Sequence, residues 1–215
     1  MKKSFNKEAN NGNFRVTIFG SARIKNGNKE YNDVKKLARM LGKRGFDVIT
    51  GGGPGLMEAV SRGHREGSKK TMTSTIGIGI KLPKKQRFNK FINVKKEFHR
   101  FSKRLDTFMA LSNVVIVAPG GIGTLLELFY TWQLAQVEHI CNIPIILVGE
   151  QWPPLIDWIE KYPLKNRLLK REDVGLLFLA DDYNEAIKMI DKAYEKHKKG
   201  DKNFCLNYYR SYKLN

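Results

Sequence analysis

The sequence is poor in cysteine and has no long apolar run. Its 215 residues include only Cys141 and Cys205, which do not stand at a spacing typical of metal ligands. Free thiols fit a reducing compartment better than a disulfide framework does. No apolar run approaches the roughly 20 residues that a bilayer-spanning helix needs, and the residues after Met1 lack the apolar core of a signal peptide. We therefore expect a cytoplasmic protein that does not enter the membrane.

Several kinds of reactive site are also missing. No Gly-x-Ser-x-Gly turn is present, and no Cys-His arrangement accompanies a glycine turn, so covalent acyl transfer has no support. No glycine turn continues into Gly-Lys-Ser/Thr, and no Gly-x-Gly-x-x-Gly follows the first predicted strand, so a mononucleotide fits better than a dinucleotide. Neither a metal nor a cofactor is predicted, because the histidines are scattered and form no pair at metal-ligand spacing. They are His64, His99, His139 and His197.

Acidic residues are scarce relative to basic ones. The chain has 21 Asp and Glu against 39 Lys and Arg, which gives a formal net charge of +18. From Lys81 to Arg104 there are ten basic residues and a single acid, Glu97. Such charge suits either a nucleic-acid surface or a surface that attracts small anions. Since no helix-turn-helix, zinc-finger or ribonucleoprotein signature accompanies it, the sequence favours a small anionic ligand over nucleic acid.

Apolar runs alternate with helical spacings along the chain. Continuous apolar strands between amphipathic helices predict an α/β fold: one doubly wound, Rossmann-like domain over residues 14–200, with a mostly parallel sheet and helices on both faces. Residues 1–13 are predicted to form a flexible basic N-terminal tail and residues 201–215 a C-terminal tail. The predicted strands are residues 14–19, 47–50, 75–80, 91–94, 114–118, 144–148 and 176–179.

The most informative motif follows the predicted strand at residues 114–118. Its glycines allow the backbone to approach an anion closely, and the helix that begins there directs unpaired N–H groups towards it, with the Thr124 hydroxyl nearby. Glu127 stands one turn into the helix, where a carboxylate suits ribose hydroxyls or a water that attacks the sugar better than it suits phosphate. The motif therefore predicts nucleotide chemistry, although such turns also occur without a ligand. Its glycines are Gly120, Gly121 and Gly123.

Two further glycine-bearing turns, at residues 20–23 and 51–55, also follow predicted strands. Because the carboxyl ends of parallel strands share one edge, the three turns are expected to form one anion site, although tight strand-to-helix geometry explains each turn alone. Glu58 either binds ribose or complements a helix dipole. Arg104 precedes the motif strand, where its guanidinium either reaches this edge to hold a phosphate or remains a solvated charge.

In order and spacing, these motifs resemble those of the Lonely Guy (LOG) family of phosphoribohydrolases, especially its larger bacterial branch, over about residues 14–149. The resemblance implies hydrolysis of the N-glycosidic bond of nucleoside 5′-monophosphates, including AMP and cytokinin nucleotides, to free base and ribose 5-phosphate. It also implies a homodimer or a larger homo-oligomer. The matching segments are GSAR (20–23), GGGPGLMEA (51–59), IGIGIKLP (76–83), FHRFSKR (98–104) and PGGIGTLLE (119–127).

By the same resemblance, Arg104 and Glu127 match the catalytic arginine and glutamate of the family. We hypothesise that the turns and Thr124 hold the 5′-phosphate, that Arg104 orients it, and that Glu127 holds the ribose or activates water as oxocarbenium character develops. The sequence does not identify the acid that protonates the leaving base. The predicted substrate-binding residues are Ser21, Arg23, Gly51, Gly52, Gly53, Met57, Glu58, Gly120, Gly121, Gly123 and Thr124.

The chain departs from the family pattern at two positions. Leu105 stands where a lysine usually follows the arginine, and Leu126 where an acidic residue often precedes the glutamate, so substrate preference or rate is expected to differ. The family has also been labelled lysine decarboxylase, but no lysine here suggests a Schiff base with pyridoxal phosphate. The same scaffold also resembles molybdenum-cofactor carriers, which hold a phosphorylated pterin without cleaving it. Retention of Arg104 and Glu127 favours the enzyme.

Overall fold

The computed structural model describes residues 4–83, 87–141 and 143–200. Within these residues seven strands form one sheet, in the order β4-β3-β2-β1-β5-β6-β7, and every neighbouring pair is parallel. The strands are β1 (Arg15–Phe19), β2 (Asp47–Thr50), β3 (Thr75–Ile80), β4 (Val94–Phe98), β5 (Val114–Val117), β6 (Ile145–Val148) and β7 (Leu177–Ala180). The predicted α/β fold with a doubly wound parallel sheet is confirmed.

Helices cover both faces of the sheet. The apolar residues of each buried strand alternate between two cores, so that Val114 and Ile116 face one layer of helices while Val115 and Val117 face the other. Among the described residues the α-helices are α1 (Phe5–Ala9), α2 (Lys29–Lys43), α3 (Leu56–Gly67), α4 (Phe101–Leu111), α5 (Ile122–Gln136), α6 (Trp152–Ile159), α7 (Arg171–Val174) and α8 (Tyr183–Lys198). None of them is long and apolar enough to cross a membrane.

The order in which successive strands are added to the sheet changes side at β1. Strands β1 to β4 add successively on one side, whereas β5 pairs with the other side of β1 and is followed by β6 and β7. Ligands of open parallel sheets bind at such a reversal, beyond the carboxyl ends of the strands. The ends of β1 and β5 carry two of the three predicted glycine turns, which places the predicted site at the reversal.

The N-terminal residues differ from the predicted flexible tail. Phe5–Ala9 is helical, and Ala9 is only 1% exposed. The fully buried Arg15 explains this packing, because its Nη2 donates to the Glu8 carbonyl at 2.7 Å and to Asn11 Oδ1 at 2.7 Å. A buried guanidinium requires acceptors, and the segment around α1 supplies them. Residues 1–3 and the predicted C-terminal tail at 201–215 lie outside the described residues.

Strand β4 lies further along the chain than predicted. The apolar run at residues 91–94 indicated a strand there, whereas the structure pairs Val94 with Ile76 and Phe98 with Ile80. Because β4 is the last strand in the sheet order, only Val94 of this strand is buried and its central residues are exposed and charged. Hydrophobic pattern is a weak guide to such an edge strand, where pairing with β3 sets the register.

Helices α2 and α3 approach each other closely through glycine. A Cβ atom at Gly63 would collide with the Lys35 carbonyl oxygen, and one at Gly67 would collide with the Arg39 carbonyl oxygen. Both obstacles are backbone atoms, which cannot move aside as a flexible side chain can. This contact fixes α3, whose N-terminus follows the second glycine turn, and it therefore helps to position that turn.

We expect Gly63→Ala to lower the free energy of unfolding by about 2–3 kcal/mol, because the added methyl group forces the helix backbones apart. Helix propensity alone predicts the opposite, a gain of about 1 kcal/mol for alanine over glycine. Urea unfolding followed by circular dichroism measures the difference. Arg65→Ala, at an exposed position of the same helix, is the control and is expected to change stability by less than about 0.5 kcal/mol. A Gly63→Ala protein as stable as the wild type would refute the packing argument.

Candidate active site

A cavity of about 370 Å³ lies at the carboxyl edge of the sheet, where the three glycine turns meet. It brings together most of the predicted site residues: Ser21, Arg23, Gly51, Gly52, Gly53, Met57, Arg104, Gly121, Gly123, Thr124 and Glu127. Other lining residues were not among the predicted ones, and they are Gly20, Ala22, Gly79, Ile80, Leu82, Arg87, Phe88, Glu97, Phe101 and Ile122. Eleven of the twenty-one lining residues are therefore predicted ones, and the three glycine turns share one cavity.

The three turns are joined to one another by backbone hydrogen bonds. Ser21 N–H donates to the Pro119 carbonyl at 3.0 Å, and the Ser21 carbonyl accepts from Leu56 N–H at 2.8 Å. The turn after β1 is therefore held between the turn after β5 and the start of α3. Its own shape is fixed by Arg23 N–H, which donates to Ser21 Oγ at 3.0 Å. The rim of the cavity is thus one hydrogen-bonded unit.

The N-terminus of α5 opens into the cavity. The first helical bond here is from Leu125 N–H to the Gly121 carbonyl, at 2.9 Å, and no side chain caps this end. The N–H groups of Ile122, Gly123 and Thr124 precede that bond and have no intrahelical acceptor. All three residues line the cavity. Together with the positive end of the helix dipole, they form a site suited to a phosphate.

The structure does not bring Gly120 into the cavity. Its N–H donates to Gln151 Oε1 at 3.0 Å, and its carbonyl accepts from Gln151 Nε2 at 2.8 Å. A Cβ atom at this position would collide with Thr124 Oγ1. Glycine is required here for close approach of the Thr124 side chain, so the predicted contact with substrate is replaced by a contact within the motif.

Glu58 also lies outside the cavity-lining residues. It occupies the first turn of α3 and is half-buried, and its charge contributes to raising the pKa of Tyr31 on α2, where burial is the larger cause. The side chain is thus within electrostatic reach of α2. Of the two readings of Glu58, complementing the dipole of α3 agrees with this position and binding ribose does not.

Arg104 and Glu127 form a buried ion pair in the cavity wall. Arg104 Nη1 donates to Glu127 Oε1 at 2.9 Å, and each residue is only 8% exposed. Arg104 Nε donates to the Ile78 carbonyl at 2.9 Å, and the guanidinium lies 4.9 Å from the Phe108 ring centroid. A Cβ atom at Gly51 would lie 2.8 Å from Arg104 Nη2, so this glycine leaves room for the guanidinium. The pair therefore links α4, α5 and β3 beneath the second turn.

Burial makes the Glu127 carboxyl group a weaker acid than an ordinary glutamate. It raises the pKa of Glu127 to about 6, while the neighbouring Arg104 guanidinium acts in the opposite direction. Near neutral pH most molecules therefore carry an ionised Glu127 that is more basic than an ordinary glutamate. A carboxylate tuned in this way suits proton abstraction from water or stabilisation of a developing positive charge.

His64 is a buried titratable group with a structural role. Buried His64 contacts Thr75 Oγ1 at 2.7 Å and the Phe46 carbonyl at 2.8 Å, and burial lowers the pKa of the imidazole. It does not line the cavity. Across the described ranges, the His, Cys, Asp and Glu side chains form no group of three or more that could hold a metal ion.

The lining residues that the sequence analysis missed lie largely on the segment from Ile80 to Phe101. Its charge drew attention as a source of anion attraction, yet the structure also places Phe88, Glu97 and Phe101 of this segment in the cavity wall. The available signal was the interleaving of aromatic residues with the basic ones. That signal does not by itself say which side chains turn inwards.

Known proteins share both the sequence pattern and the fold. A family model described as "Possible lysine decarboxylase" matches residues 57–190. A curated protein of Escherichia coli K12, named pyrimidine/purine nucleotide 5′-monophosphate nucleosidase, is 30% identical over 128 residues. The match covers 56% of this chain but only 28% of that protein.

Solved structures extend the comparison of the fold. The molybdenum cofactor carrier protein of Chlamydomonas reinhardtii gives a TM-score of 0.65 at 19% identity, covering 86% of this chain and 99% of that one. The molybdenum cofactor binding protein of Rippkaea orientalis gives a TM-score of 0.57 at 21% identity, covering 84% and 96%. At these identities the likeness establishes the fold alone. The family model, by contrast, spans more than half of the chain and includes both Arg104 and Glu127. The chain therefore belongs to the LOG family, whose model carries the lysine decarboxylase description.

Proposed function

We propose that the protein hydrolyses the N-glycosidic bond of purine nucleoside 5′-monophosphates, AMP or cytokinin-type nucleotides, to free base and ribose 5-phosphate. The observation that carries the proposal is the buried Arg104–Glu127 pair, with its Nη1–Oε1 distance of 2.9 Å, in a cavity that also contains the uncapped N-terminus of α5. An anion site for the 5′-phosphate and a tuned carboxylate beside the sugar suit hydrolysis of the N-glycosidic bond of a nucleoside 5′-monophosphate. The nucleosidase name of the Escherichia coli relative supports the same reaction class.

The phosphate binds at the end of the cavity formed by α5 and the turn after β1. There the N–H groups of residues 122–124 and the Thr124 hydroxyl supply donors, and the exposed Arg23 adds a positive charge. Backbone hydrogen bonds between the turns hold these donors in place, so the protein loses little conformational freedom when the phosphate binds. Binding energy from the phosphate then serves to fix the sugar against the buried carboxylate.

Glu127 acts on the sugar. In the proposed step, the bond from C1′ to the base nitrogen breaks and its electron pair leaves with the base, while the oxygen of a water molecule forms a bond to C1′. The base gains a proton, so that the OH of the water ends on C1′ and the products are free base and ribose 5-phosphate. Glu127 either takes the proton that the water loses or stabilises the positive charge on the ribose as the bond breaks. Arg104 uses Nη1 to hold Glu127 and Nε to hold the Ile78 carbonyl. Its Nη2 is the donor left to orient the substrate.

A carrier that binds a phosphorylated ligand without cleaving it is the alternative on this scaffold. Incubation of the protein with AMP, GMP, CMP and isopentenyl-AMP, with chromatographic detection of free base and ribose 5-phosphate, separates the two. Release of adenine together with an equal amount of ribose 5-phosphate supports the enzyme. Binding of nucleotides with no cleavage of any of them supports the carrier.

We also propose that the protein is a homodimer formed through α5. Ile122, Leu126 and Phe129 are spaced four and three residues apart, and so share one face of the helix. They are 87%, 43% and 40% exposed. Leu126 replaces the acidic residue that is common in the family, which makes this face more apolar. Because Ile122 also lines the cavity, a second copy seated on α5 would border the active site.

Glu127→Gln is expected to reduce kcat for AMP hydrolysis by roughly 100-fold or more, because the amide cannot accept a proton from water or carry negative charge. The affinity for AMP is expected to change little, since the phosphate donors remain. Steady-state kinetics and isothermal titration calorimetry measure the two quantities. Glu172→Gln, at an exposed position on α7, serves as the control and should match the wild type. A large loss of affinity with normal turnover would show that Glu127 is a binding group only.

The pH dependence of kcat/KM is expected to report the raised pKa of Glu127. The carboxylate is the active form, so activity is lost as pH falls through about 6, the value to which burial raises the pKa. An ordinary glutamate would give this loss near pH 4.3. Rates measured from pH 5 to 8, with circular dichroism to verify folding at each pH, test the assignment. A profile that stays level through pH 6 would contradict it.

Leu126→Glu is expected to shift the protein from dimer to monomer, because a charge on the apolar face of α5 would be buried in the interface. Size-exclusion chromatography with light scattering gives the mass of each form. Leu168→Glu is a matched control, since Leu168 is 76% exposed and lies outside α5. A wild-type protein that is monomeric at micromolar concentration, or a variant that remains dimeric, would contradict the proposed interface.

A further inference from the structure

The Phe88 ring packs against the backbone of three glycine residues, Gly52, Gly77 and Gly79. A Cβ atom at Gly52 would be 2.5 Å from Phe88 Cδ1, and one at Gly79 would be 2.6 Å from Phe88 Cζ. A Cβ atom at Gly77 would be 3.1 Å from the same ring. Glycine at these positions, on the turn after β2 and on β3, is what allows the ring to sit in the cavity wall.

Phe88 is held in place by the residue that follows it. Asn89 N–H donates to the Gly52 carbonyl at 2.8 Å, and Asn89 Nδ2 donates to the Gly53 carbonyl at 2.9 Å. The ring is half-buried and lines the cavity. Its position is therefore set by fixed contacts with the second glycine turn, and it offers the cavity a rigid aromatic surface.

Glu97 is beside this ring on the edge strand. Glu97 pairs in register with Gly79, and paired residues of neighbouring strands point to the same face of the sheet. A Cβ atom at Gly79 would point at Phe88, so Glu97 is on the face of the sheet where Phe88 lies. It is exposed, lines the cavity and forms no ion pair with any residue that the structure describes. An ionised carboxylate is only an acceptor of hydrogen bonds, and it repels phosphate. Beside the basic Arg87 and Lys95, Glu97 therefore supplies the hydrogen-bond acceptor that a group carrying N–H donors needs at this end of the cavity.

The order of the strands arranges the cavity in three parts. The α5 N-terminus follows β5, the Arg104–Glu127 pair lies by Ile78 of β3 and by Gly51 after β2, and Glu97 belongs to β4. Since neighbouring strands are about 4.8 Å apart, the ends of β1 and β3 are separated by about 10 Å. That separation suits one nucleoside monophosphate, with its phosphate at the β5–β1 end, its ribose by Glu127 and its base at the β3–β4 end.

We propose that Phe88 and Glu97 form the nucleobase subsite and select bases that carry an exocyclic amino group, with adenine preferred over hypoxanthine. Phe88 packs against the base, and Glu97 accepts a hydrogen bond from the amino group. Hypoxanthine presents a carbonyl oxygen in place of that amino group, which leaves the carboxylate facing another acceptor. The inference rests on the proposed function, and it names the part of the substrate that this end of the cavity recognises.

The test compares kcat/KM for AMP and IMP in the wild type, Phe88→Ala and Glu97→Gln. Phe88→Ala should lower kcat/KM for AMP about tenfold through KM, the loss typical of a base–aromatic contact. Glu97→Gln should shift the AMP-to-IMP ratio of kcat/KM about tenfold towards IMP, because the amide of glutamine can donate to the hypoxanthine carbonyl. Lys96→Ala, at an exposed neighbouring position of β4, should leave both values unchanged.

Inhibition by ribose 5-phosphate separates a base contact from general damage to the site. This product lacks the base, so its inhibition constant should be the same in both variants and in the wild type. An unchanged AMP-to-IMP ratio in Glu97→Gln, an unchanged KM in Phe88→Ala, or equal weakening of ribose 5-phosphate inhibition would overturn the proposed subsite. If the wild type cleaves neither nucleotide, the proposed function fails, and calorimetric binding of AMP and IMP to the same variants still decides the subsite.

Discussion

The ion pair between Arg104 and Glu127 is the constraint around which the cavity is arranged. Both groups are nearly excluded from water, and their hydrogen bond is 2.9 Å long. Loss of either partner of a buried pair leaves an uncompensated charge, at a cost of about 3–5 kcal/mol. The pair also sets geometry, since the Arg104 bond to the Ile78 carbonyl fixes the guanidinium under the second glycine turn and thereby fixes the carboxylate of α5. Under the proposed function, the same burial that makes the pair costly gives Glu127 the basicity that its role requires.

Charge is unevenly distributed around this pair. The chain as a whole is strongly basic, and the cavity is lined by Arg23, Arg87 and Arg104 but also by the acids Glu97 and Glu127. Under the proposed function, the basic surface attracts the anionic substrate, and the acids disfavour phosphate in their immediate neighbourhood. A nucleotide that binds with its phosphate towards α5 places the phosphate at the N–H donors of that helix and its ribose and base beside the acids.

Much of the fold could be predicted from hydrophobic pattern, because strands buried on both faces read as continuous apolar runs. The run at residues 114–118 and the glycines after it identified β5, the start of α5 and the edge of the sheet that carries the cavity. Arg104 and Glu127 both line the cavity, but the ion pair between them was not predicted. Strand β4 was displaced, since an edge strand with exposed Lys95 and Lys96 lacks the apolar signal. Helix α1 was missed because its packing depends on acceptors for the buried Arg15, a need that only tertiary contacts reveal.

The details of the site were harder to predict than its location. Gly120 was predicted to contact the substrate, but the absence of a side chain at this position instead leaves room for the Thr124 side chain. Glu58 shares the local pattern of a ligand-binding carboxylate, yet the direction of α3 turns it away from the cavity. Phe88 and Glu97 are brought in by the pairing of β4 with β3 and by the Asn89 bonds to the second turn, neither of which has a periodic signature in the sequence.

The most direct test of the account is a crystal structure of the Glu127→Gln protein with AMP. The account predicts phosphate oxygens within hydrogen-bonding distance of the N–H groups of residues 122–124, the ribose C1′ beside Gln at position 127, and adenine between Phe88 and Glu97. AMP bound in the opposite direction, with adenine at the N-terminus of α5, or bound outside this cavity, would contradict it.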